Sequence, residues 1–437
     1  MKEISVGLIG CGTVGTGVAK ILLEKQPLIS SRTGLAIRLK RIADIDTKRD
    51  RGLAIPAGVM TADAGAVIGD PDIDIIVELV GGVTIARDLM LRAIDSGKHI
   101  VTANKALLSA HGDRIFPLAA EKGVDIAYEA SVGGCMPIIR TIRESLVADR
   151  IDSIRGILNG TCNYILTKIT EEHCPFAVAL KEAQEKGFAE ADPTLDIDGL
   201  DTAHKLAILN TIGFGMTIRL EDIYVEGIRA ITPLDIEFAE AFGYRIKLLA
   251  ISKQTDDGVE ARIHPTMIPR GNLLSDVAGS LNAVEVSGDC VGDMILYGRG
   301  AGMMPTASAV VSDIVDLARN IAAGIRQRVP ALSYRPEAIR PLPVLPMDNL
   351  VTRYYFRFTA TDRPGVLSKI AGILGNHHIS IQSVHQKGQD TGGQVPLVML
   401  SHLAREKDVK QALAEIVQLD IVTDQPVLIR IEDTGGH

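Results

Sequence analysis

A glycine-rich turn between an apolar strand and a helix constrains this chain more than any other feature. Residues 4–9 (ISVGLI) form an apolar run that suits a buried strand, and a helical pattern follows from residue 15 to residue 24. The turn between them has the pattern G-x-G-x-x-G, in the strand–turn–helix setting that this motif requires. An ordinary tight turn is the alternative. The setting favours a dinucleotide site formed by Gly10, Gly12, Thr13, Val14 and Gly15.

Strands and helices alternate through about the first 130 residues. Further strands are predicted at Ile37–Ala43, Ile73–Val80, His99–Thr102 and Val124–Tyr128, with helices at Thr84–Ser96 and Asp113–Lys122. This alternation is typical of a parallel sheet covered by helices. We therefore assign residues 1–130 to a dinucleotide-binding α/β domain, and we expect an apolar-periodic helix at 305–325 to pack back onto it.

Polar residues follow two of these strands, at the edge where open α/β sheets bind ligands. Asp44 ends the second strand, and a carboxylate there usually holds a ribose with a free 2′-hydroxyl, which favours NAD over NADP. Arg41 and Lys48 are near enough in sequence to meet a 2′-phosphate instead. Thr102 and Lys105 follow a later strand and are predicted to border the cofactor. The alternatives are a solvated loop acid and a surface lysine.

The pattern changes after residue 130. Residues 131–325 contain helices, the first of them at Pro137–Val147, and then strands, which predicts an α+β domain. Five prolines between residues 330 and 346 predict an extended, semi-rigid linker over residues 326–350. Residues 351–437 follow a βαββαβ order, with the second strand at Ser380–Lys387, and contain nine basic and nine acidic residues. The linker pattern suggests that a chain cut at about residue 345 keeps its activity.

Composition excludes several classes of protein. There are 46 basic and 54 acidic residues, a net charge of −8, which argues against a nucleic-acid partner. Five cysteines without a C-x-x-C pair suit neither a disulfide framework nor a structural zinc site, so we expect a cytoplasmic protein. Neither a signal-peptide pattern nor an apolar run of about 18 residues occurs, so we expect no membrane association.

Acidic residues are densest between residues 190 and 201, where five acids fall within 12 positions. If residues 199 onward are helical, Asp201 and Lys205 lie four residues apart on one face. A lysine beside a carboxylate and an apolar cofactor can act as a proton donor, and the acids can bind a substrate ammonium. A solvated acidic loop is the alternative. A calcium loop would show a D-x-D-x-D-G spacing, which is absent.

This stretch resembles the signature of homoserine dehydrogenases. The matching positions are Ala183, Gly187, Phe188, Ala189, Asp192, Pro193, Asp196, Ile197, Gly199, Asp201 and Lys205. The segments NGTCNYIL (159–166), TANKALL (102–108) and EASVGG (129–134) resemble other motifs of the family. The tail resembles an ACT domain, a βαββαβ amino-acid sensor, through DRPGVL at 362–367.

The resemblance implies the reversible reduction of L-aspartate 4-semialdehyde to L-homoserine with NAD or NADP. It gives Lys205 the role of proton donor, places Lys105 between nicotinamide and substrate, and lets Asp201 orient the lysine or the substrate. The substrate-binding residues that it implies are Glu190, Asp196, Gly160 and Thr161. Some members have tyrosine where this chain has Phe188, so one hydroxyl contact is missing here.

The resemblance also implies a cation, an effector and a partner chain. Backbone oxygens of four residues are expected to bind a monovalent cation, typically sodium: Glu129, Val132, Gly134 and Met136. The ACT motif makes threonine the first candidate effector, held near Asp362 and Gly365 at a helix start. A purely oligomerising tail is the alternative. A homodimer or a tetramer is expected.

Two other functions remain open from the residues. An acylating semialdehyde dehydrogenase would need a thiolate nucleophile, for which Cys135 and Cys162 are the candidates. A single small cysteine is more often a packing residue, and the lysine and acid cluster has no role in that chemistry. A non-catalytic, cofactor-binding amino-acid sensor is the second alternative. A hydride-transfer assay separates it from an enzyme.

Overall fold

The computed structural model describes residues 1–386 and 393–433, so Lys387, the last residue of the strand predicted at 380–387, lies outside the described part. The chain divides into two compact units. The first unit contains residues 1–154, 203–222 and 282–342, and the second contains residues 155–202, 223–281 and the chain from Pro343 onward. Within the described ranges, no helix is both long enough and apolar enough to cross a membrane.

The first 154 residues alternate between strands and helices. Their elements are β1 (Lys2–Ile9), α1 (Thr13–Glu24), α2 (Gln26–Thr33), β2 (Leu35–Ala43), β3 (Met60–Thr61), α3 (Ala64–Ile68), β4 (Ile75–Glu78), α4 (Thr84–Asp95), β5 (His99–Thr102), α5 (Lys105–Lys122), β6 (Ile126–Ala127) and α6 (Ile138–Arg140). The six strands form one parallel sheet in the order β3-β2-β1-β4-β5-β6. This is the strand order of a doubly wound, Rossmann-type fold, and it confirms the predicted parallel sheet.

The central strand explains why the sheet is parallel and covered on both faces. Six consecutive residues of β1, from Ile4 to Ile9, are buried, as expected for a strand with helices above and below it. The helix expected at 305–325 is present and packs back onto this core. A Cβ built on Gly17 of α1 would lie 2.9 Å from the Cβ of Ala307, so the two helices pack in close contact.

The middle of the chain contains the α+β elements. They are β7 (Ile151–Ile157), α7 (Gly160–Glu172), α8 (Phe176–Glu185), α9 (Thr194–Ile197), α10 (Leu200–Phe214), β8 (Tyr224–Val225), α11 (Pro233–Ala241), β9 (Tyr244–Thr255), β10 (Gly258–Pro269), β11 (Leu281–Gly288), β12 (Gly292–Arg299) and α12 (Met303–Ala323). The long hairpin of β9 and β10 pairs residue by residue from Gly258 with Thr255 to Pro269 with Tyr244.

The tail has the predicted βαββαβ order, with one short extra strand. Its elements are β13 (Val351–Thr361), α13 (Val366–Asn376), β14 (Ile381–Gln386), β15 (Gln394–Ser401), β16 (Ala404–Arg405), α14 (Glu406–Ile416) and β17 (Val427–Ile431). The strand order is β17-β13-β15-β14, and the neighbouring strands are antiparallel. In the second unit this sheet continues through a parallel pairing of β17 with β10.

Several elements differ from the sequence prediction. The helix predicted at Asp113–Lys122 already begins at Lys105, because the Asn104 side chain caps it by accepting from the Leu107 N–H at 3.1 Å. The helix predicted at 137–147 is only a short α-helix, followed by a π-helical turn at Thr141–Ser145. Elements β3, α2 and α7 were not predicted at all.

Candidate active site

The glycine-rich turn is built as the motif requires. Gly10 has a φ of +93°, and a Cβ there would lie 2.6 Å from the Leu79 carbonyl, so only glycine fits. A Cβ on Gly15 would lie 2.2 Å from the Gly10 oxygen. Nothing lies within 4 Å of a Cβ placed on Gly12, where α1 is about to begin. The turn therefore leaves open space at the helix N-terminus, where a pyrophosphate binds.

Asp44 lies beside this turn and is already engaged by protein groups. Its Oδ2 accepts from the Cys11 N–H at 2.6 Å, and its Oδ1 accepts from the Asp46 N–H at 2.9 Å. The Arg51 guanidinium stands 3.3 Å from Asp44 and donates to the Cys11 carbonyl at 2.9 Å. Sequence reasoning missed Arg51, because nothing local links residue 51 to the turn.

The next strand ends form a buried polar turn. Thr102 is fully buried, and its hydroxyl donates to Glu78 at 2.8 Å and accepts from the Asn104 N–H at 3.0 Å. Burial raises the pKa of the Glu78 carboxyl above its usual value, although the Thr102 hydroxyl opposes this rise. The Thr102 side chain thus shapes the turn that leads to Lys105, the first residue of α5. Glu78 is a further residue that sequence reasoning missed.

Helices α5 and α10 touch near the two lysines. The Ser109 hydroxyl and the Nδ1 of His204 are 2.6 Å apart. Ser109 lies one turn after Lys105, and His204 immediately precedes Lys205. Both lysines are half-buried. The first unit therefore brings together the two helix segments that carry the predicted lysines.

The acidic residues are organised by Asn159, whose role was not predicted. Asn159 caps α7 by accepting from the Cys162 N–H at 2.8 Å, and its amide donates to Asp196 at 2.7 Å and to Asp201 at 3.0 Å. Thr161 donates to the second oxygen of Asp196 at 3.0 Å. One buried amide thus holds two of the predicted carboxylates. A helix-capping asparagine before Gly160 was the available sequence signal.

Other predicted residues lie around this cluster. Glu190 is exposed, and the Thr161 hydroxyl donates to the Phe188 carbonyl at 2.5 Å. The Phe188 ring packs on Tyr164 with ring centroids 4.9 Å apart. Cys162 is fully buried, and its thiol donates to the Asp196 carbonyl at 3.2 Å, which suits a packing residue rather than an accessible nucleophile.

The loop predicted to hold a cation is buried. Val132 and Met136 are almost fully buried, and Gly134 has a φ of +59° with a Cβ position 2.5 Å from the Gly300 carbonyl. The Glu129 carboxylate accepts from two backbone N–H groups at 2.8 Å, and its own N–H donates to Asp313 at 2.8 Å. Burial, followed by the nearby Glu129 charge, raises the pKa of Asp313 to about 8.

The predicted effector residues lie at the start of α13. Gly365 caps this helix with a φ of +90°, and a Cβ there would meet nothing within 4 Å. Asp362 is exposed, and its backbone N–H donates to the Gly393 carbonyl at 3.0 Å. The helix predicted to follow the D-R-P-G motif is confirmed.

Fold and site together define a class. A parallel sheet with an open glycine turn at the start of a helix, together with lysines on two helices that contact each other, is the arrangement of a nicotinamide-dependent oxidoreductase.

Comparisons with known proteins narrow this class. Family models described as the NAD-binding domain of homoserine dehydrogenase, homoserine dehydrogenase and ACT domain match residues 10–129, 137–315 and 354–420. Homoserine dehydrogenases of Neisseria gonorrhoeae and Pseudomonas aeruginosa are 44% and 45% identical to this chain, and 99% of each chain is covered. The chain belongs to the homoserine dehydrogenase family and is an oxidoreductase that acts on a CH–OH group.

Solved structures agree with this assignment. A homoserine dehydrogenase from Thiobacillus denitrificans superposes with a TM-score of 0.93 at 46% identity, over 100% of this chain and 99% of that one. A hyperthermophilic archaeal homoserine dehydrogenase in complex with NADPH is 26% identical, with a TM-score of 0.62 over 72% of this chain and 98% of that one. The fold class is confirmed, and the cofactor is a nicotinamide dinucleotide.

Proposed function

We propose that this chain interconverts L-homoserine and L-aspartate 4-semialdehyde through Lys205, Lys105 and the carboxylates that Asn159 gathers. The observation that carries the proposal is the arrangement around Asn159. This amide holds Asp201 at 3.0 Å, and Asp201 lies one helical turn before Lys205 on α10. A carboxylate held in this position can orient the lysine or the substrate.

A nicotinamide dinucleotide bound at the glycine turn would supply or accept the hydride. In the reducing direction, Lys205 gives a proton to the aldehyde oxygen, so the product is the alcohol. Lys105, at the start of α5, polarises the same oxygen. In the oxidising direction, Lys205 takes the hydroxyl proton back. No covalent intermediate is needed, so a thiolate has no part in the reaction.

The acidic residues bind the amino end of the substrate. Asp196 and Glu190 supply negative charge for the ammonium, and Asn159 with Thr161 fixes both oxygens of Asp196. The Thr161 hydroxyl is engaged by Phe188 and Asp196, so its contribution is to shape the site. Gly160 begins α7 beside these groups and lines the pocket without a side chain.

The test is homoserine-dependent reduction of NAD and NADP, measured side by side on the full chain. Lys205→Ala should lower kcat by about 10²–10⁴-fold while the dissociation constant of the dinucleotide stays nearly constant. Cys135→Ala is the matched control and should keep its rate. Near-normal turnover in a folded Lys205→Ala variant would remove this lysine from the mechanism.

We also propose a modest preference for NAD. Asp44 stands at the end of β2 and pairs with Arg51, which places a carboxylate where a 2′-phosphate would otherwise be received. Asp44→Ser should raise the relative use of NADP, and Asp72→Ser, an exposed acid elsewhere in the domain, should not. Tighter binding of NADP than NAD to the unmodified chain would contradict this proposal. It would mean that Arg51, Arg41 or Lys48 decides the cofactor preference rather than Asp44.

A monovalent cation is proposed at the backbone oxygens of Glu129, Val132, Gly134 and Met136. The residues present fit it. Burial raises the pKa of both the Glu129 and the Asp313 carboxyl, and a cation bound in this loop would stabilise their charged forms. A bound cation would hold the loop in shape. The melting temperature should be higher in sodium chloride than in choline chloride at equal ionic strength. Equal melting temperatures would contradict the proposed cation site.

Threonine is the proposed effector of the tail. The open N-terminus of α13 at Gly365 offers room and N–H donors for a carboxylate, and Asp362 stands at its rim. The ratio of rates with and without millimolar threonine should depart from one, and Asp362→Ala should return it toward one. Asp420→Ala, an exposed acid of the same domain, is the control. An unchanged rate in the full-length protein would contradict the effector role and favour the alternative, a tail that only forms homo-oligomers.

A further inference from the structure

We infer that Arg430, a residue of the tail, is a positioning residue for Asp196 in the substrate site. The inference rests on the proposed role of Asp196 in binding substrate. It links two parts of the second unit that are far apart in sequence through a short series of contacts.

Arg430 is buried on β17 and faces carboxylates from two parts of the chain. It donates to Glu406 of the tail from Nε at 3.0 Å and from Nη2 at 2.5 Å. Its Nη1 donates to Glu226 at 2.6 Å, outside the tail. The Arg430 side chain is 3% exposed and that of Glu226 is 33% exposed. Charge-assisted hydrogen bonds of this kind fix geometry as well as adding energy.

The sheet explains why these residues meet. Strand β9 pairs along the whole length of β10, so the other edge of β10 is left for β8 and β17. Tyr224 of β8 pairs with Arg262, and Arg430 of β17 pairs with Thr266, both in the parallel direction. The tail strand therefore continues the same edge that β8 begins, and Glu226 directly follows β8.

Residues 225–229, which we call the brace, lie against the turn that carries Asp196. The Ile228 N–H donates to the Ile197 carbonyl at 2.9 Å. A Cβ on Gly227 would lie 2.2 Å from that carbonyl oxygen and 2.6 Å from the Asp198 Cα, so the two backbones are in close contact. Arg229 adds an ion pair to Asp198 at 2.5 Å.

The last step leads from the brace to the substrate site. Ile197 is bonded to Asp196, whose two oxygens are held by Asn159 at 2.7 Å and Thr161 at 3.0 Å. These distances leave little tolerance, since hydrogen bonds weaken steeply outside their normal range. When Arg430 holds Glu226, the brace holds the 197 carbonyl, and Asp196 stays in place for the substrate ammonium.

The alternative is that Arg430 and Glu226 only stabilise the fold. The two accounts differ in what they predict for kinetics. A structural pair changes the free energy of unfolding and leaves the kinetic constants of the folded enzyme intact. A positioning pair raises KM for homoserine and leaves KM for the dinucleotide unchanged, because the brace contacts residues 197 and 198, directly after Asp196.

Glu226→Ala is the test, since Arg430 remains paired with the buried Glu406 and its charge stays compensated. We expect KM for homoserine to rise about three- to tenfold with KM for the dinucleotide unchanged. Glu226→Gln should recover part of the loss. Gly227→Ala, which forces the two backbones apart, should raise KM for homoserine further.

Tyr355→Phe is the matched control. It removes one hydrogen bond of 3.0 Å between the tail and Asp235 and does not touch the brace. Equal kinetic constants for Glu226→Ala and Tyr355→Phe would overturn the inference. Asp196→Asn separates this failure from that of the proposed function. If Asp196→Asn leaves KM for homoserine unchanged, Asp196 does not bind substrate and the proposed function fails at this residue. If Asp196→Asn raises KM for homoserine but Glu226→Ala does not, Asp196 keeps its role and only the role of Arg430 is contradicted.

Discussion

The proline-rich linker and the contact between β17 and β10 both connect the tail to the preceding chain, but they hold it by different means. The linker uses neutral hydrogen bonds, such as those from Tyr334 to the Gly213 carbonyl at 3.1 Å and from the Leu345 N–H to the Val259 carbonyl at 2.9 Å. It also makes exposed ion pairs, such as that of Asp348 with Lys410 at 2.8 Å. Its side chains are half-buried or exposed over most of its length.

We call the contacts of β13, β17 and Glu432 with Arg155 and residues 224–267 the seam. The seam uses buried charges instead. Glu432 receives Arg155 at 3.2 Å, Lys253 at 2.5 Å and Arg262 at 3.1 Å. Burial alone would raise the pKa of Glu432, but Lys253 and Arg262 hold it below its usual value. The fully buried Asp235 carboxylate likewise forms an ion pair with Arg357, whose Nε donates to it at 2.6 Å.

This difference shows how the tail is integrated. A domain attached only through its linker could be removed with little consequence. Here the second unit contains both the tail and residues 155–202 and 223–281, and its sheet runs through both. The buried seam therefore argues against the expectation from the linker pattern that a chain cut near residue 345 keeps its activity.

Truncation at residue 345 should have the largest effect. It leaves the part of the β10 edge that pairs with β17 open, and it removes the tail partners of Asp235 and Arg262. Each broken buried pair costs about 3–5 kcal/mol. Such losses approach the total stability of a typical domain, about 5–15 kcal/mol. We expect an aggregated or unfolded product, measured by circular dichroism and size exclusion. A folded product with full activity would show that the seam is dispensable.

A single break of the seam should come next. Arg357→Met leaves the Asp235 carboxylate buried with only hydroxyl and N–H partners, and should lower the free energy of unfolding by about 3–5 kcal/mol. Arg405→Met, which removes exposed contacts to linker residues 348 and 349, should cost less than about 1 kcal/mol. Urea unfolding of both variants checks the comparison, and similar losses would contradict it.

Lys247 sharpens the comparison, because its buried amine faces neutral groups. It donates to the Val277 carbonyl at 2.6 Å and to Asn163 at 3.2 Å, and burial lowers its pKa to about 8. Between pH 8 and the unfolded value near 10.5, the folded state binds fewer protons than the unfolded state. Stability from this residue is therefore lowest below pH 8 and rises through that window, by up to about 3 kcal/mol.

The measurement is the free energy of unfolding of the wild type and of Lys247→Met at pH 7, 8, 9 and 10. The free energy of unfolding of the wild type should rise relative to that of the variant as the pH rises. A constant difference between the two free energies would mean that Lys247 stays charged in the folded state. Lys253→Met, which removes a partly exposed cation of the same strand, is the control for the loss of a lysine.

The linker prolines should have the smallest effect. Pro341→Ala increases the freedom of the unfolded chain and should cost about 0.4–1 kcal/mol, with kcat and KM unchanged. Thermal melting measures the stability change, and the homoserine assay measures the rest. A loss as large as that of Arg357→Met would show that the linker holds the tail as firmly as the seam does.

The parts of the molecule that were predictable from sequence are those in which the cause is local. Gly10 and Gly15 are required by contacts within a short turn, and the apolar run of β1 reports burial directly. The βαββαβ order of the tail was also readable from periodicity, and it is confirmed. The start of α5 was placed too late, because one capping side chain at Asn104 decided it.

The remaining features depend on contacts across long stretches of sequence. Arg51 reaches the turn from 40 residues away, Asn159 collects carboxylates from positions 37 and 42 residues further on, and Glu78 is recognisable only beside Thr102. No local pattern marks such residues, since their partners are set by the packing of strands and helices. For the same reason, the linker could be predicted from its prolines, whereas the buried seam could not be predicted from the sequence.

The pairing of β17 with β10 also bears on how the chain is made. Arg430 and Glu226 are 204 residues apart, so the edge of this sheet closes only after most of the chain has left the ribosome. Contacts of such long sequence separation form slowly, and an unpaired strand edge in the interval invites association with other chains. The nascent protein therefore passes through a period in which β10 is exposed, and chaperones that cover strand edges would act during that period.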